Sequence, residues 1–440
     1  MAAPVSLLAK RLFFAFFMAL LALPALQSKF HFVKFTELTG YAERAPHPDL
    51  SWEGLRDNSY QPALEHYLED RAGFREPLIR LRNQLAFSLF NVGRANNTVV
   101  GEKGILFDGN ALDINLGSEF MGEAEVGRHV YKFKAVQEAL AKRGTLLVFV
   151  IAPGKATFYS EYWPSYYQAR KARRTPSNYS TLAPRMKAAG INLLDFNQLF
   201  LAWKDTAKYP LFSRGGIHWS VYGSMLAADT LFRYIEHRSH IRMPQHRFTG
   251  REISDQPRET DNDLTKVLNL IWEPTEFTLA YPKLEFEPPK PAERKPNLLL
   301  VGDSFVWNLI PFVPGAFSEK TRFWYYNNAV DWAGEANTGE ERQVSALDRP
   351  AQLTGRDVVV VLFSEPNLGN FDHGFSDNAF GFLCPFTDAD RARINVHVEK
   401  LRGDKELQQR IWEQAYKDHQ NPDYMLYNEA VKRYEQELGK

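Results

Sequence analysis

Cysteine is almost absent: Cys384 is the only one in the chain. One thiol excludes an internal disulfide and a thiolate metal cluster, so the fold must hold without cross-links. Charge of one sign is also missing, with 53 Lys and Arg against 53 Asp and Glu. That balance, and the want of any basic stripe, speak against a nucleic-acid partner. No H-E-x-x-H, no Cys/His metal spacing and no Walker-type loop occurs. The sequence therefore predicts no metal site and no cofactor. There is no fixed-period repeat, and the one biased tract is a run of prolines after Tyr281.

What is present is an ordinary globular balance, 44% hydrophobic and 24% charged residues over 440 positions. That suffices for one large domain with appendages. Aromatic residues reach 14%, which suits a carbohydrate-facing protein and a large core equally. The N-terminus is more specific. Lys10 and Arg11 precede an uncharged apolar run, Leu12 to Leu26. The run has the length of a signal-peptide core, and the charge before it predicts export of the rest of the chain. A signal anchor is favoured over a cleaved signal, because no small-residue cleavage site is evident.

Residues 1–28 are thus read as signal anchor or signal peptide, and 29–98 as a helical lead-in with a joint at Gly73. "VVGEKGILFDG" reads as a hairpin. From about residue 123, helices alternate with short apolar strands: "TLLVFVIAP", "NLLDF", "NLLLVGDS", "TRFWYYN" and "DVVVVLFSE". This alternation predicts an α/β fold, a doubly wound, mostly parallel sheet covered on both faces, over residues 99–386. Its ligand site is expected at the carboxyl ends of the strands. Residues 238–296 break the rhythm and read as an insertion or surface excursion. Residues 387–440 form a helical tail.

Two short stretches carry the chemistry. In "VGDSF", Gly302 permits a tight turn at a strand end, and Ser304 starts the next element. Ser304 there is either a helix cap or a nucleophile beside N–H groups able to hold an oxyanion. A nucleophilic serine needs a base. His218, in "FSRGGIHWSVYGS", lies in a glycine-flanked loop before a helix that Ser220 can cap, with Trp219 to shield it from water. The plain alternative is a structural turn.

Together, "VGDSF" and "HWSVYG" resemble the SGNH-hydrolase-like O-acetyltransferases of bacterial polysaccharide modification, the alginate O-acetyltransferase AlgJ/AlgX group. "FREPLIRLRNQL", "VVGEKGILFDG" and "VFVIAPGKATFYSEYWP" match that group in order, over roughly residues 65–370. The resemblance implies an SGNH-like (flavodoxin-like) fold, with Ser304 as nucleophile and His218 as general base. The group's histidine motif carries an Asp two residues before the His, and here that position is Gly216. Asp195 and Glu365, at strand ends, are the candidate replacements for the orienting acid. The Ser304 backbone N–H, Asn308 and Asn367 are candidate oxyanion donors. Lys155, in the Pro-x-Lys loop, is a candidate lining of the acceptor groove.

The expected reaction is O-acetylation of an exported polysaccharide through an acyl-serine. The implied partners are the polysaccharide acceptor, the inner membrane, and an acyl donor of the membrane-bound O-acyltransferase class. The implied location is periplasmic, anchored by the N-terminal segment. Two alternatives stand beside it. One is an acetylesterase using the same serine and histidine. The other is a non-catalytic polysaccharide-binding or assembly protein, for which Gly216 is the best support.

Overall fold

A computed structural model describes residues 7–40, 44–331 and 342–440. Strands β1 (Thr98–Val100) and β2 (Leu106–Asp108) form the expected antiparallel hairpin, with Val99 opposite Phe107. After them come β3 (Leu146–Ala152), β4 (Leu193–Asp195), β5 (His246–Ser254), β6 (Leu279–Phe286), β7 (Leu298–Gly302), β8 (Arg322–Tyr325), β9 (Ala329–Asp331) and β10 (Val358–Ser364). Six of them make the central sheet, in the order β4-β3-β10-β7-β8-β9. The first five in that order run parallel, and β9 closes one edge antiparallel to β8. This is the mostly parallel α/β architecture that the alternation of helices and strands predicts.

The strands are continuous apolar runs because both faces are covered. Alternate residues enter two separate cores. Val148, Val150, Leu298, Leu300, Val358, Val360 and Leu362 face one, against Met225, Leu231 and Phe232 of the helix Val221–Ser239. Leu147, Phe149, Ile151, Leu299, Val301, Val359 and Val361 face the other, against Val126, Phe133 and Val136 of the helix Glu123–Ala141. β10 lies between β3 and β7, with Val360 in register with both Val148 and Leu300. Strand ends from distant parts of the chain are therefore fixed side by side.

Two elements differ from the sequence reading. β9 is unexpected: it is only three residues long, too short to show a strand pattern, and follows a turn through the left-handed residues Tyr326 and Asn327. The segment 238–296 is more than a surface excursion. β5 and β6 pair as a two-stranded ribbon in which Pro282 lies opposite Arg251, an edge setting that tolerates proline. The chain between them buries Asp261, Asn262, Thr265, Leu268 and Glu276.

The N-terminal helix runs from Leu7 to Phe30, longer than the apolar run. Its 24 residues, with a mean hydropathy of 1.8 over an 18-residue stretch, make it long and apolar enough to cross a membrane. The tail forms helices Asp388–Arg402, Lys405–Lys417 and Pro422–Leu438. The last packs on the helix Glu123–Ala141 so closely that a Cβ on Gly127 would lie 2.4 Å from the Gly439 carbonyl oxygen. Charge fixes this contact. Glu435 meets Lys132 at 2.7 Å and Arg128 at 3.2 Å, and both cations also meet Asp377. Glu435→Ala leaves two buried cations facing Asp377 with Glu435's share of the compensation gone. We expect it to cost about 3–5 kcal/mol and to open the tail to limited proteolysis, checked by denaturation beside the wild type.

Candidate active site

The site is built where β7 ends. Gly302 sits between β10 and the next turn, and a Cβ there would fall 2.2 Å from the Leu362 carbonyl oxygen. Only glycine lets the two strand ends approach this closely. Asp303 comes next and is fully buried. One of its carboxylate oxygens accepts the Phe305 N–H at 3.0 Å; the other accepts the Ser364 N–H, the Ser364 hydroxyl and the Asn367 amide at 2.7–2.8 Å. Asp303 is thus the cap of the turn after it, which is a 3-10 helix, Ser304–Asn308. The expectation that Ser304 caps is corrected: the acid before it does so, and Ser304 keeps its hydroxyl free.

That hydroxyl lies 2.9 Å from Nε2 of His218. The structure therefore brings together the two residues that the sequence singles out, 86 positions apart. Nδ1 of the same ring lies 2.8 Å from Oδ2 of Asp263. With Nδ1 donating to the carboxylate, Nε2 is left bare to accept from the Ser304 hydroxyl. The His218 ring packs against Phe305 at 4.8 Å between centroids, and Trp219 packs on Phe305 at 5.4 Å. Trp219 is fully buried beneath the site and belongs to the core.

The orienting acid is neither of the two expected from the sequence. Asp195 caps the helix Phe196–Trp203 and accepts from the Tyr179 hydroxyl at 3.1 Å. Glu365 is buried, where it accepts from Thr157 at 2.8 Å, Asn197 at 3.1 Å and Asn115 at 3.2 Å. Burial pushes both carboxyls above their ordinary range. Both tie loops at the carboxyl end of the sheet, and His218 has Asp263 instead. Asp263 comes from the 238–296 segment. Its other oxygen accepts the Ile217 N–H at 2.8 Å, so one carboxylate fixes both the loop and the ring. Gly216 explains the exchange. A Cβ there would lie 2.4 Å from the Thr260 carbonyl oxygen and 2.6 Å from the Ser213 hydroxyl. The missing side chain is what lets the segment bearing Asp263 come close. No local pattern in "ETDNDLTKV" distinguishes Asp263 from its acidic neighbours, and 45 residues separate it from His218.

The other expected residues take different places. Asn308 donates to the Thr260 hydroxyl at 2.8 Å, which ties the Ser304 turn to the same segment. Asn367 donates to Asp303 rather than toward Ser304. The Ser304 backbone N–H makes no hydrogen bond among the described residues and is left as an oxyanion donor candidate. Lys155 does not line an open groove. It is buried under the histidine loop, where its ammonium donates to the carbonyls of Gly216 at 2.6 Å and Arg214 at 2.9 Å. Glu276, which carries no signal in the sequence, accepts the N–H groups of Arg214 at 2.6 Å and Gly215 at 2.9 Å. Among the described residues no group of three or more His, Cys, Asp or Glu is set to hold a metal ion.

A serine, a histidine and a carboxylate in one hydrogen-bonded line, with a free N–H at the serine, can carry out acyl transfer by covalent catalysis. The family model described as SGNH hydrolase-like domain, acetyltransferase AlgX, matches residues 98–319, just over half of the chain. Ser304, His218 and Asp263 all lie within it. The chain is 25% identical over 214 residues to the probable alginate O-acetylase AlgJ of Pseudomonas syringae pv. tomato, covering 49% of this chain and 52% of that one. For the protein of the same name from Pseudomonas aeruginosa the values are 27% over 206 residues, 45% and 49%. The chain therefore aligns with about half the length of these curated relatives. Among solved structures, the O-acetyltransferase domain of Pseudomonas putida AlgJ aligns at 19% identity and a TM-score of 0.41, over 64% of this chain and 99% of that one. Pseudomonas aeruginosa AlgX aligns at 16% identity and 0.40, over 64% and 67%.

Lys155 gives a test of how the histidine loop is held. Burial lowers its ammonium from the ordinary 10.5 to about 7. Between those values the unfolded chain binds the proton and the folded protein does not, so stability rises with pH. Lys155→Met removes this slope. From pH 7 to 10 we expect the wild type to gain on the order of 4 kcal/mol relative to the variant, read from denaturation midpoints across that range. Parallel pH curves for the two proteins contradict the assignment.

Proposed function

Because the chain belongs to the SGNH hydrolase-like acetyltransferase family of AlgX, we propose that it is an exported, serine-dependent O-acetyltransferase acting on an extracellular or cell-envelope polysaccharide. One observation carries this reading: Ser304, His218 and Asp263 stand in line at 2.9 Å and 2.8 Å. Alginate is the polysaccharide in the relatives' names and the first acceptor to test.

The steps rest on the geometry. The Ser304 hydroxyl gives its proton to Nε2 of His218 as its oxygen attacks the acyl carbonyl of the donor. Asp263 holds Nδ1–H and stabilises the imidazolium. The oxyanion forms against the Ser304 N–H. The leaving group of the donor takes the proton from Nε2 as its bond to the acyl carbon breaks. A sugar hydroxyl then attacks the acyl-serine, Nε2 takes its proton, and Ser304 leaves and recovers that proton. In this reading the donor is presented at the inner membrane by a partner of the membrane-bound O-acyltransferase class, and the Leu7–Phe30 helix anchors the chain there. The non-catalytic alternative rests on Gly216 and loses that support, since Asp263 takes the acid's place at His218.

The test uses the full chain, a chromogenic acetyl ester and oligosaccharide acceptors followed by mass. We expect the wild type to consume ester and add acetyl to an acceptor. Ser304→Ala and His218→Ala should each lose roughly a thousandfold or more in turnover. Asp263→Asn keeps the shape but not the charge, and should fall by about 10²–10⁴-fold, while Asp195→Asn should stay within a few fold of wild type. Turnover without acetyl gain on any acceptor points to the esterase. Full activity in Ser304→Ala overturns the mechanism.

A further inference from the structure

The helix Arg75–Phe90 turns polar side chains inward, beside Ala86 and a half-buried Phe87 that packs on the Leu268–Leu270 cluster, and leaves leucines outward. In a soluble domain the apolar stripe of a surface helix faces the core. Here the buried positions are Asn83, Gln84 and Ala86. Asn83 donates to the Leu268 carbonyl at 2.8 Å, and the Gln84 amide oxygen accepts the N–H groups of Ile271 and Trp272 at 3.1 and 2.9 Å. The outward face carries Leu78, Leu81, Leu85 and Leu89, spaced three, four and four residues apart and exposed by 58%, 46%, 49% and 67%. At helical geometry this makes one narrow stripe roughly 16 Å long. Arg82 is exposed at its margin, and Trp272, held at Gln84, is 72% exposed. Four leucines left in water on one face are a patch that calls for a partner.

The structure points to the occupant. The stripe begins just over one turn beyond Gly73, and Gly73 is where the membrane-length helix meets the domain. A Cβ on Gly73 would lie 2.2 Å from the Pro24 carbonyl oxygen and 2.7 Å from the Gln27 Cβ. The Ser28 hydroxyl donates to the Arg71 carbonyl at 2.7 Å, and Phe74 packs on Phe32 and Phe35. A bilayer that holds Leu7–Phe30 therefore ends beside the first residue of the leucine helix. We propose that this face is a second membrane contact, in which the helix Arg75–Phe90 lies in the lipid interface. Its leucines enter the acyl boundary, and Arg82 and Trp272 sit at headgroup level, the positions that cationic and indole side chains favour. The docked helix and the anchor together fix the domain's tilt on the membrane. The inference rests on the reading of Leu7–Phe30 as a membrane anchor and not on the acyl-transfer chemistry.

The full chain has one cysteine, which makes the test direct. In a Cys384→Ser background, Leu81→Cys, Leu85→Cys and Leu89→Cys are each labelled with a nitroxide and reconstituted in vesicles of phosphatidylcholine and phosphatidylglycerol. Trp412→Cys, on the exposed tail, is the aqueous control. Accessibility to oxygen reports lipid, and accessibility to a nickel chelate reports water. We expect the oxygen-to-nickel ratio at the three leucine positions to exceed that of the control several-fold. Nickel accessibility equal to the control overturns the proposal. So does protection from both reagents with spin–spin broadening, which would mean that a second copy covers the face. Substitutions at exposed positions leave the fold intact, so each outcome reads the face itself.

Discussion

The arrangement depends on how one loop, Ser213 to His218, is held. Regular elements satisfy this loop's backbone only in part, through Leu106 N–H to the Arg214 carbonyl and Thr265 N–H to that of Gly215, and burying the rest unpaired is costly. Here side chains of opposite character meet them. Glu276 takes the N–H groups of Arg214 and Gly215, Ser213 takes that of Gly216, and Asp263 takes that of Ile217. Lys155 supplies the carbonyls of Arg214 and Gly216 from the opposite direction. The imidazole is then the last member of a network already fixed. Its direction toward Ser304 does not have to be selected when substrate binds, which is the condition for preorganised catalysis.

The serine side is held by the same logic with a different acid. Asp303 is fully buried, and four donors from two strand ends converge on its carboxyl group. A carboxylate so placed would be intolerable without them. With them it ties the end of β7 to the end of β10 and turns Ser304 outward. Glu365 does the same nearby, drawing together the loops after β3, β4 and β10. The acids that the sequence offers as partners for the histidine are thus engaged in holding the platform on which the histidine works.

Much of the fold is legible in the sequence because it rests on local pattern. Continuous apolar runs such as "DVVVVLFSE" specify strands buried on both faces, and Ser220 before "VYGSMLAADTLF" specifies a capped helix. The candidate site is legible where its residues mark turns: Gly302 and the loop before Val221 stand out from sequence alone. Asp263 and Glu276 do not, since their role comes from tertiary approach and their segment reads as polar connection. Even Gly216 misleads. Its bare Cα looks like a missing acid, whereas the bare Cα is what admits the stretch of chain that brings the acid.

That segment also joins the two ends of the molecule that matter most. Starting at Asp263 on the histidine, the chain passes Leu268 against Asn83, then Ile271 and Trp272 against Gln84, and returns to the histidine loop at Glu276. The two acids are thirteen positions apart, and between them the chain makes its contacts with the inward, polar face of the leucine helix. The polarity of that face then has a reason. Phe87 packs on the cluster of Leu268 and Leu270, and the paired amides of Asn83 and Gln84 add the directional bonds that fix the segment at one register. On the proposed membrane contact, a helix that meets lipid outward and hydrogen-bonds the Asp263-bearing segment inward would set the Ser304–His218 site at a defined height above the bilayer. Under the proposed function, with a donor presented at the membrane and a polymer as acceptor, that placement would serve acyl transfer as directly as the line of Ser304, His218 and Asp263.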